Sequence, residues 1–434
     1  MKKPHKEPMK NRKQPPIVIP ENIPFPALHT AVAGSGVRLH TLFVEGQVAR
    51  VSFVFRAGTA LQSIPFSASA ASNLIGEGSL SMSSKEMADK LDFYGSYFSV
   101  SIDRDWSVVT FCCLSKFFPQ TMEIARQMLL FPAFSNDEVA TYCAKRKQSL
   151  LIERSKASFR ARELLASSLF GPEHPYGVSS DAALYDRLTR DDIVAFYNSF
   201  YLSDNCFVVS SGNIGDTERD IISQIVDGLP SGSFTDPGAV PVTEQVRYGF
   251  ARQPGAVQSA LRMGLRLFPR YHPDFIPMQV VATTLGGYFS SRLVRNLREE
   301  RGYTYGAYAA MVNLQHDGYL AIATEVASQV TDDAIKQVFI EIERLCNDKV
   351  GDEELRTVKN IMAGEVMRII DGPFGVADVA IEDIQNGEDN DYVSRLLERV
   401  KAFTSTELLD TAQKYLAADD FTVVAVGASK PKIF

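Results

Sequence analysis

The chain has 434 residues, 45 Lys plus Arg against 52 Asp plus Glu, a formal charge of −7, and is 45% hydrophobic and 22% charged. That length predicts two domains of roughly 200 residues, and the composition is globular, with enough apolar residues for two buried cores. The mild acidity argues against nucleic acid as a partner: phosphate contacts need a basic face, and outside one arginine-rich helix the only dense positive cluster is Met1 to Lys13. No run is long and apolar enough to span a membrane. The cysteines at 112, 113, 143, 206 and 346 form no C-x-x-C pair and read as reduced, buried thiols. No apolar h-region follows the basic N-terminus, so no secretory signal is expected and a cytoplasmic location is the default.

Residues 1–24 read as a flexible tail, charged at first and then broken by Pro15, Pro16, Pro20 and Pro24. Order is expected from Phe25. Alternating apolar runs from Val37 to Val44 and Ala49 to Arg56 predict paired strands, followed by a helix of small residues from Ser67 to Ile75. Ser83 and Glu86 are spaced as a capping box, opening a helix that carries Met87, Leu91 and Tyr94 and stops at Gly95. Tyr97 to Leu114 predicts two antiparallel strands around Asp103 to Asp105, then amphipathic helices from Gln120 to Leu130 and from Asp137 onward.

The second half repeats this order. Asp204 to Gly212 (DNCFVVSSG) matches Asp419 to Gly427 (DDFTVVAVG), each preceded by a helix opening at Thr189 or Thr404, and Ser135 to Val139 matches Gly351 to Leu355. A duplication of this length means two similar domains, since solenoid periods are far shorter. The stretch Leu229 to Gly238 (LPSGSFTDPG) has no periodicity and reads as the start of a linker over 229–245, between a first domain at 25–228 and a second at 246–434. The expected class is α+β, each domain a mixed, largely antiparallel sheet with helices packed on one face.

One stretch carries the chemistry. Leu285 to Tyr308 reads LGGYFSSRLVRNLREERGYTYGAY: a Gly-Gly turn, a helix with Leu293 and Leu297 inward and arginines at 292, 295, 298 and 301, a stop at Gly302, and a strand expected from Tyr303 to Ala310. This places Arg298 on the last helical turn and Tyr305 at the head of the strand, two polar tips able to converge. The segment resembles the second domain of the pitrilysin-like (insulinase, mitochondrial processing peptidase) metallopeptidases. The resemblance implies that Arg298 and Tyr305 reach the carbonyl being hydrolysed, that the loop Gly286, Gly287, Tyr288, Phe289 and Ser290 lies near the peptide, and that the domains form half of a clamshell.

Active members of that family carry H-x-x-E-H on a first-domain helix, two zinc-binding histidines and a base on one face. Here the flanks Phe55 to Thr59 and Ile75 to Ser79 fit, but the motif positions hold Ser69, Ala70, Ala71, Ser72 and Asn73. The histidines at 5, 29, 40, 174, 272 and 316 offer no pair on one helical face, and the family's third ligand would fall near Glu153 alone. Asn73 and Glu77 read as capping or turn residues, His174 as a loop residue and Cys112-Cys113 as a buried pair. There is no G-x-S-x-G elbow, Walker loop or full dinucleotide fingerprint.

The resemblance therefore implies a subunit that binds no metal itself, pairs with a homologous zinc-bearing chain, and supplies Arg298 and Tyr305 to that partner's site around an unstructured peptide. The alternative is an inert structural or peptide-binding protein of the same fold.

Overall fold

The computed structural model describes residues 25–179, 181–242 and 245–434; the expected tail 1–24 lies outside the described residues. Strands β1 (His29–Val32), β2 (Arg38–Phe43), β3 (Val48–Phe55), β4 (Tyr97–Ile102), β5 (Ser107–Leu114) and β6 (Cys206–Gly212) form one sheet in the order β1-β2-β6-β3-β5-β4. Strands β7 (Tyr248–Arg252), β8 (Gln258–Arg266), β9 (Ala307–Asn313), β10 (Gly318–Ala327) and β11 (Thr422–Gly427) form the second, in the order β7-β11-β8-β10-β9. Without β1, the two orders are the same. In both, the last strand returns to lie parallel to the first (β6 on β2, β11 on β7), and every other pairing is antiparallel. The repeat read along the chain is thus a repeat of topology.

One pairing differs from expectation. The runs from Val37 and Ala49 are both strands, but they do not pair with each other, because β6 lies between them. Phe207, Val208 and Val209 are consecutive and buried, so β6 needs cover on both faces and takes the middle of the sheet.

The helices of the first half are α1 (Ser67–Leu74), α2 (Ser84–Tyr94), α3 (Phe118–Leu130), α4 (Asn136–Arg154), α5 (Ala157–Phe170), α6 (Arg190–Phe200) and α7 (Asp216–Asp227). Those of the second are α8 (Phe275–Gly286), α9 (Arg292–Val294), α10 (Thr331–Asn347), α11 (Asp352–Ile369), α12 (Pro373–Gln385), α13 (Tyr392–Ala402) and α14 (Ser405–Tyr415). Their ends follow local chemistry. Ser83 and Glu86 close the capping box on α2, and Gly95 stops it at φ +62°. Thr189 and Thr404 cap α6 and α14 with the same reciprocal bonds, to Asp192 and Glu407.

Packing joins the halves through one helix from each. The face of the first sheet carrying Val51, Phe53, Phe55 and Phe111 is covered by helices of its own half. Its other face, with Val54, Phe207 and Val209, receives Ala377, Ala380 and Ile381 of α12 from the second half. Reciprocally, α5 of the first half covers the outer face of the second sheet: Leu165 and Leu169 pack on Val424, and Ala161 on Ala260 and Val426. Gly264 is required there, since a Cβ would stand 2.7 Å from Leu169 Cδ1. Because α5 and α12 follow the matched helices α4 and α11, the exchange is itself part of the duplication.

Leu169 is fully buried in this seam. Leu169→Ala is expected to cost about 2–5 kcal/mol and to lower the urea midpoint without leaving one half folded on its own. Two separated transitions by far-UV circular dichroism would contradict a shared seam.

Candidate functional site

The loop from α8 to β9 is built by close backbone approach. Gly286 is buried against β9, where a Cβ would lie 2.4 Å from the Ala309 nitrogen, and Gly287 has Thr283 Cα at 2.6 Å from the same construction. These contacts explain the Gly-Gly pair by packing alone. Tyr288 is half-buried against the second core, and its hydroxyl pKa is raised by burial and then by Glu354. Phe289 and Ser290 are exposed. Only α9 is regular α-helix here; the chain continues as a wider π-type turn from Arg295 to Glu300, a distortion often found at functional sites. Leu293 and Leu297 anchor it, both fully buried.

Gly302, at φ +65°, ends the turn as expected, with its N–H donating to the Arg298 carbonyl at 3.2 Å and the Tyr303 N–H to the Leu297 carbonyl at 2.8 Å. The following strand begins at Ala307, later than expected. Thr304 is the reason: its hydroxyl donates to the Gly306 carbonyl (2.8 Å) and meets the Thr324 hydroxyl (3.0 Å), drawing residues 304–306 into a turn before the ladder to β10 starts at Ala307 opposite Thr324. Tyr305 therefore sits on that turn, 92% exposed, and not at the strand head.

The four arginines divide by what they touch. Arg292 donates through Nε and Nη2 to both oxygens of Glu354 (2.8 and 3.0 Å), Arg301 donates to Gln337 Oε1 (2.8 Å), and Arg295 reaches the Ser290 carbonyl (3.4 Å). Arg298 lies with its guanidinium 4.4 Å from the centre of the Phe289 ring. Among the described residues its side chain makes no hydrogen bond or ion pair, and neither does the Tyr305 hydroxyl. The structure brings Arg298 to Phe289; no bond or ring contact joins it to Tyr305.

On α1 the motif positions are engaged locally. The Ser72 hydroxyl, fully buried, lies 2.7 Å from that of Ser107, which lies 3.0 Å from that of Tyr201, so a chain of hydroxyls occupies the place of the family's base. Ser69 Oγ donates to the Phe66 carbonyl (3.1 Å) and Asn73 Nδ2 to the Ser69 carbonyl (2.7 Å). Neutral hydroxyls and an amide turned to their own backbone are poor ligands for zinc, and no group of three or more His, Cys, Asp or Glu among the described residues could hold a metal ion. Glu77 accepts from Ser84 Oγ at 2.6 Å, a local bond. His174 is likewise structural: its Nδ1 accepts from the Tyr176 N–H and its Nε2 lies 3.0 Å from the Val240 carbonyl.

Between the halves lies a cavity of about 1670 Å³, lined by Ser69, Glu153 and Phe170 on one side and by Thr283, Gly287 and residues 309–315 on the other. Strand β9 is the free edge of its sheet, so one row of its backbone groups is unpaired beside this space. Arg298 and Tyr305 are not in the lining.

Residues 187–362 match the profile of the peptidase M16 inactive domain. The chain is thus similar to the pitrilysin-like M16 peptidases, and its first half lacks their zinc motif. A crystal structure of a peptidase M16 inactive domain from Pseudomonas fluorescens superposes with a TM-score of 0.87 at 19% identity, over 93% of this chain and 98% of that one. A protease from Helicobacter pylori gives 0.84 at 14% identity, over 94% and 100%. Similar sequences include an uncharacterized zinc protease of Streptomyces coelicolor, 20% identical over 79% of this chain and 77% of its own length. Another, from Bacillus subtilis, is 20% identical over 67% and 71%. No helix among the described residues is long and apolar enough to cross a membrane.

Sequence reasoning missed three residues of the cavity wall, Arg104, Arg162 and Tyr319. The one available signal was Arg104 between two aspartates, which read only as a turn.

The arginine stripe makes a stability prediction. The Arg292–Glu354 pair is mostly buried, so Arg292→Ala strands a carboxylate and is expected to cost about 3 kcal/mol. Arg298→Ala removes one cation–π contact at the surface and should cost no more than about 1 kcal/mol. Chemical denaturation of both variants checks the order; equal losses would mean that Arg298 is a structural residue.

Proposed function

We propose that this protein is the zinc-free chain of a two-chain metallopeptidase. It pairs with a homologous zinc-bearing subunit, holds an unstructured peptide, and donates Arg298 and Tyr305 to the transition state formed at the partner's H-x-x-E-H site. The observation that carries this reading is the contrast within the stripe. The other three arginines are committed to partners inside the chain, whereas Arg298 rests only on Phe289 and Tyr305 projects into solvent. A guanidinium and a phenol with no hydrogen-bonding partner among the described residues are available to a group from outside.

The chemistry follows from charge. When water adds to a peptide carbonyl the oxygen becomes an oxyanion, and donors aimed at it act on charge that the substrate ground state does not carry. Each such donor is typically worth roughly 3–4 kcal/mol. The zinc that polarises the carbonyl and activates the water belongs, in this reading, to the partner chain; the groups on this chain bind and orient. All five cysteines are free thiols, which supports placing the pair in the cytoplasm.

A second reading, a peptide-holding protein with no part in hydrolysis, draws support from the cavity, which is large and stands apart from Arg298 and Tyr305. Coexpression with the zinc-bearing homologue and assay on a quenched fluorogenic peptide separates the two. Under the first reading Arg298→Ala and Tyr305→Phe each lower kcat by about 100-fold or more while the complex still elutes as one species. Full activity in both variants would leave the peptide-holding reading in its place.

A further inference from the structure

Two arginines in the cavity wall make no ion pair with a carboxylate among the described residues. Arg104 stands at the tip of the hairpin joining β4 to β5, Arg162 projects from α5, and Tyr319 comes from β10 of the second half; all three line the same space. Among the described residues neither guanidinium makes a hydrogen bond or ion pair, and the Tyr319 hydroxyl makes none. Arg162 lies over the Phe159 ring at 5.0 Å, and Tyr319 packs edge-on to Phe170 at 5.9 Å.

The hairpin tip that carries Arg104 is held in place before any ligand arrives. Asp103 Oδ1 accepts from the N–H of both Asp105 and Trp106 at 2.7 Å, fixing the turn. The N–H groups of Thr59 and Ala60 donate to the carbonyls of Asp103 (3.0 Å) and Arg104 (2.7 Å), nailing the tip to the segment before α1. Gly58 makes that approach possible, since a Cβ there would lie 2.3 Å from the Arg104 oxygen. The nearby carboxylates are already used. Asp105 accepts from the Tyr176 hydroxyl (2.8 Å) and the Gln315 N–H (3.0 Å), and Glu163 from Arg154 (3.0 Å) and Ser179 (2.9 Å).

We propose that this cavity contains a carboxylate-binding site in which Arg104, Arg162 and the Tyr319 hydroxyl receive a carboxylate of an extended peptide. Two guanidiniums supply donors only, and the phenol adds an O–H that can donate beside them, a pattern that planar oxyanions fit. Burial is the largest influence on Arg104 and, with the nearby charge of Arg162, lowers its pKa; Tyr319, Asp105 and Glu163 offset this only in part, so the guanidinium is left under-compensated in the cavity wall. Both arginines also pull down the pKa of Tyr319, which burial raises overall. A peptide fits better than a free inorganic anion because the cavity is far larger than one anion, has apolar walls at Leu150, Phe159, Phe170 and Ile369, and borders the free edge of β9, where an extended chain can add as a strand. The proposal rests on the peptide-holding part of the reading above and not on Arg298 or Tyr305.

The carboxylate can be a chain terminus or an Asp or Glu side chain. The test is fluorescence anisotropy of the full chain with three labelled decapeptides of one uncharged sequence: free acid, C-terminal amide, and amide with one central aspartate. At least one carboxylate-bearing peptide is expected to bind about ten-fold or more tighter than the plain amide, and which one identifies the source. Arg104→Gln and Arg162→Gln should remove that advantage while leaving amide binding unchanged, and Tyr319→Phe should reduce it. Thermal unfolding of each variant confirms that it is folded. Equal binding of all three peptides, no binding of any, or an advantage that survives both glutamine variants would overturn the proposal, whatever Arg298→Ala does in the mixed complex.

Discussion

Each sheet in this protein has two apolar faces, and the helices of its own half cover only one. Alternation along the strands makes this unavoidable: Val208 faces the helices of its own half while Phe207 and Val209 face away, and the same holds for Val423 and Ala425 against Val424 and Val426. The exchange of α5 for α12 buries both outer faces at once. Each large apolar side chain buried this way contributes about 1.5–3 kcal/mol, so a handful of contacts in each seam fixes the halves relative to one another. The cavity depends on that fixation. Its wall combines a hairpin tip and α5 with β9 and β10, and groups on both sides can meet one ligand only if the halves do not slide.

Helix α1, at the place where the resembled family carries its zinc motif, is part of this scaffold. Where an active relative needs a charged base facing a metal, α1 has Ser72 fully buried in a chain of hydroxyls with Ser107 and Tyr201. A carboxylate placed there alone would lose its hydration with no cation to compensate, so a neutral hydroxyl chain is compatible with the fold at a position without histidines beside it. The arginine loop shows the reverse pattern: it could have satisfied Arg298 internally, as it satisfies Arg292 through Glu354, and does not.

Much of this was legible in the sequence because it is local. Capping boxes at Ser83, Thr189 and Thr404, the stop at Gly302 and the repeat of VV-containing strands each need only a few neighbouring residues, and all are where the pattern put them. What was not legible is set by partners distant in the chain. Val37 to Val44 and Ala49 to Arg56 look like a hairpin until Phe207 to Val209 arrive to claim the middle of the sheet. The exchanged helices could not be read because a strand apolar on both faces does not say whose helix covers the second face. Tyr305 was misplaced by a hydroxyl contact from Thr304 to Thr324, twenty residues away. Arg104 and Arg162 are ordinary surface residues in sequence, and only folding puts them on one wall with Tyr319.

Among arginines the distinction that matters here is what surrounds the guanidinium. Arg292, Arg154 and Arg301 donate to acceptors on their own chain. Among the described residues Arg298, Arg104 and Arg162 have no such acceptor: Arg298 lies over Phe289, the exposed Arg162 over Phe159, and Arg104 is half-buried, where a partly desolvated charge gains most from a carboxylate beside it. These three fall in two places, one on the exposed loop and two in the cavity. Separate places suit separate tasks. In the roles proposed above, Arg298 acts on a developing oxyanion and so has to reach outward to a partner chain, whereas Arg104 and Arg162 hold a peptide by a charge already present, which works best inside a fixed wall.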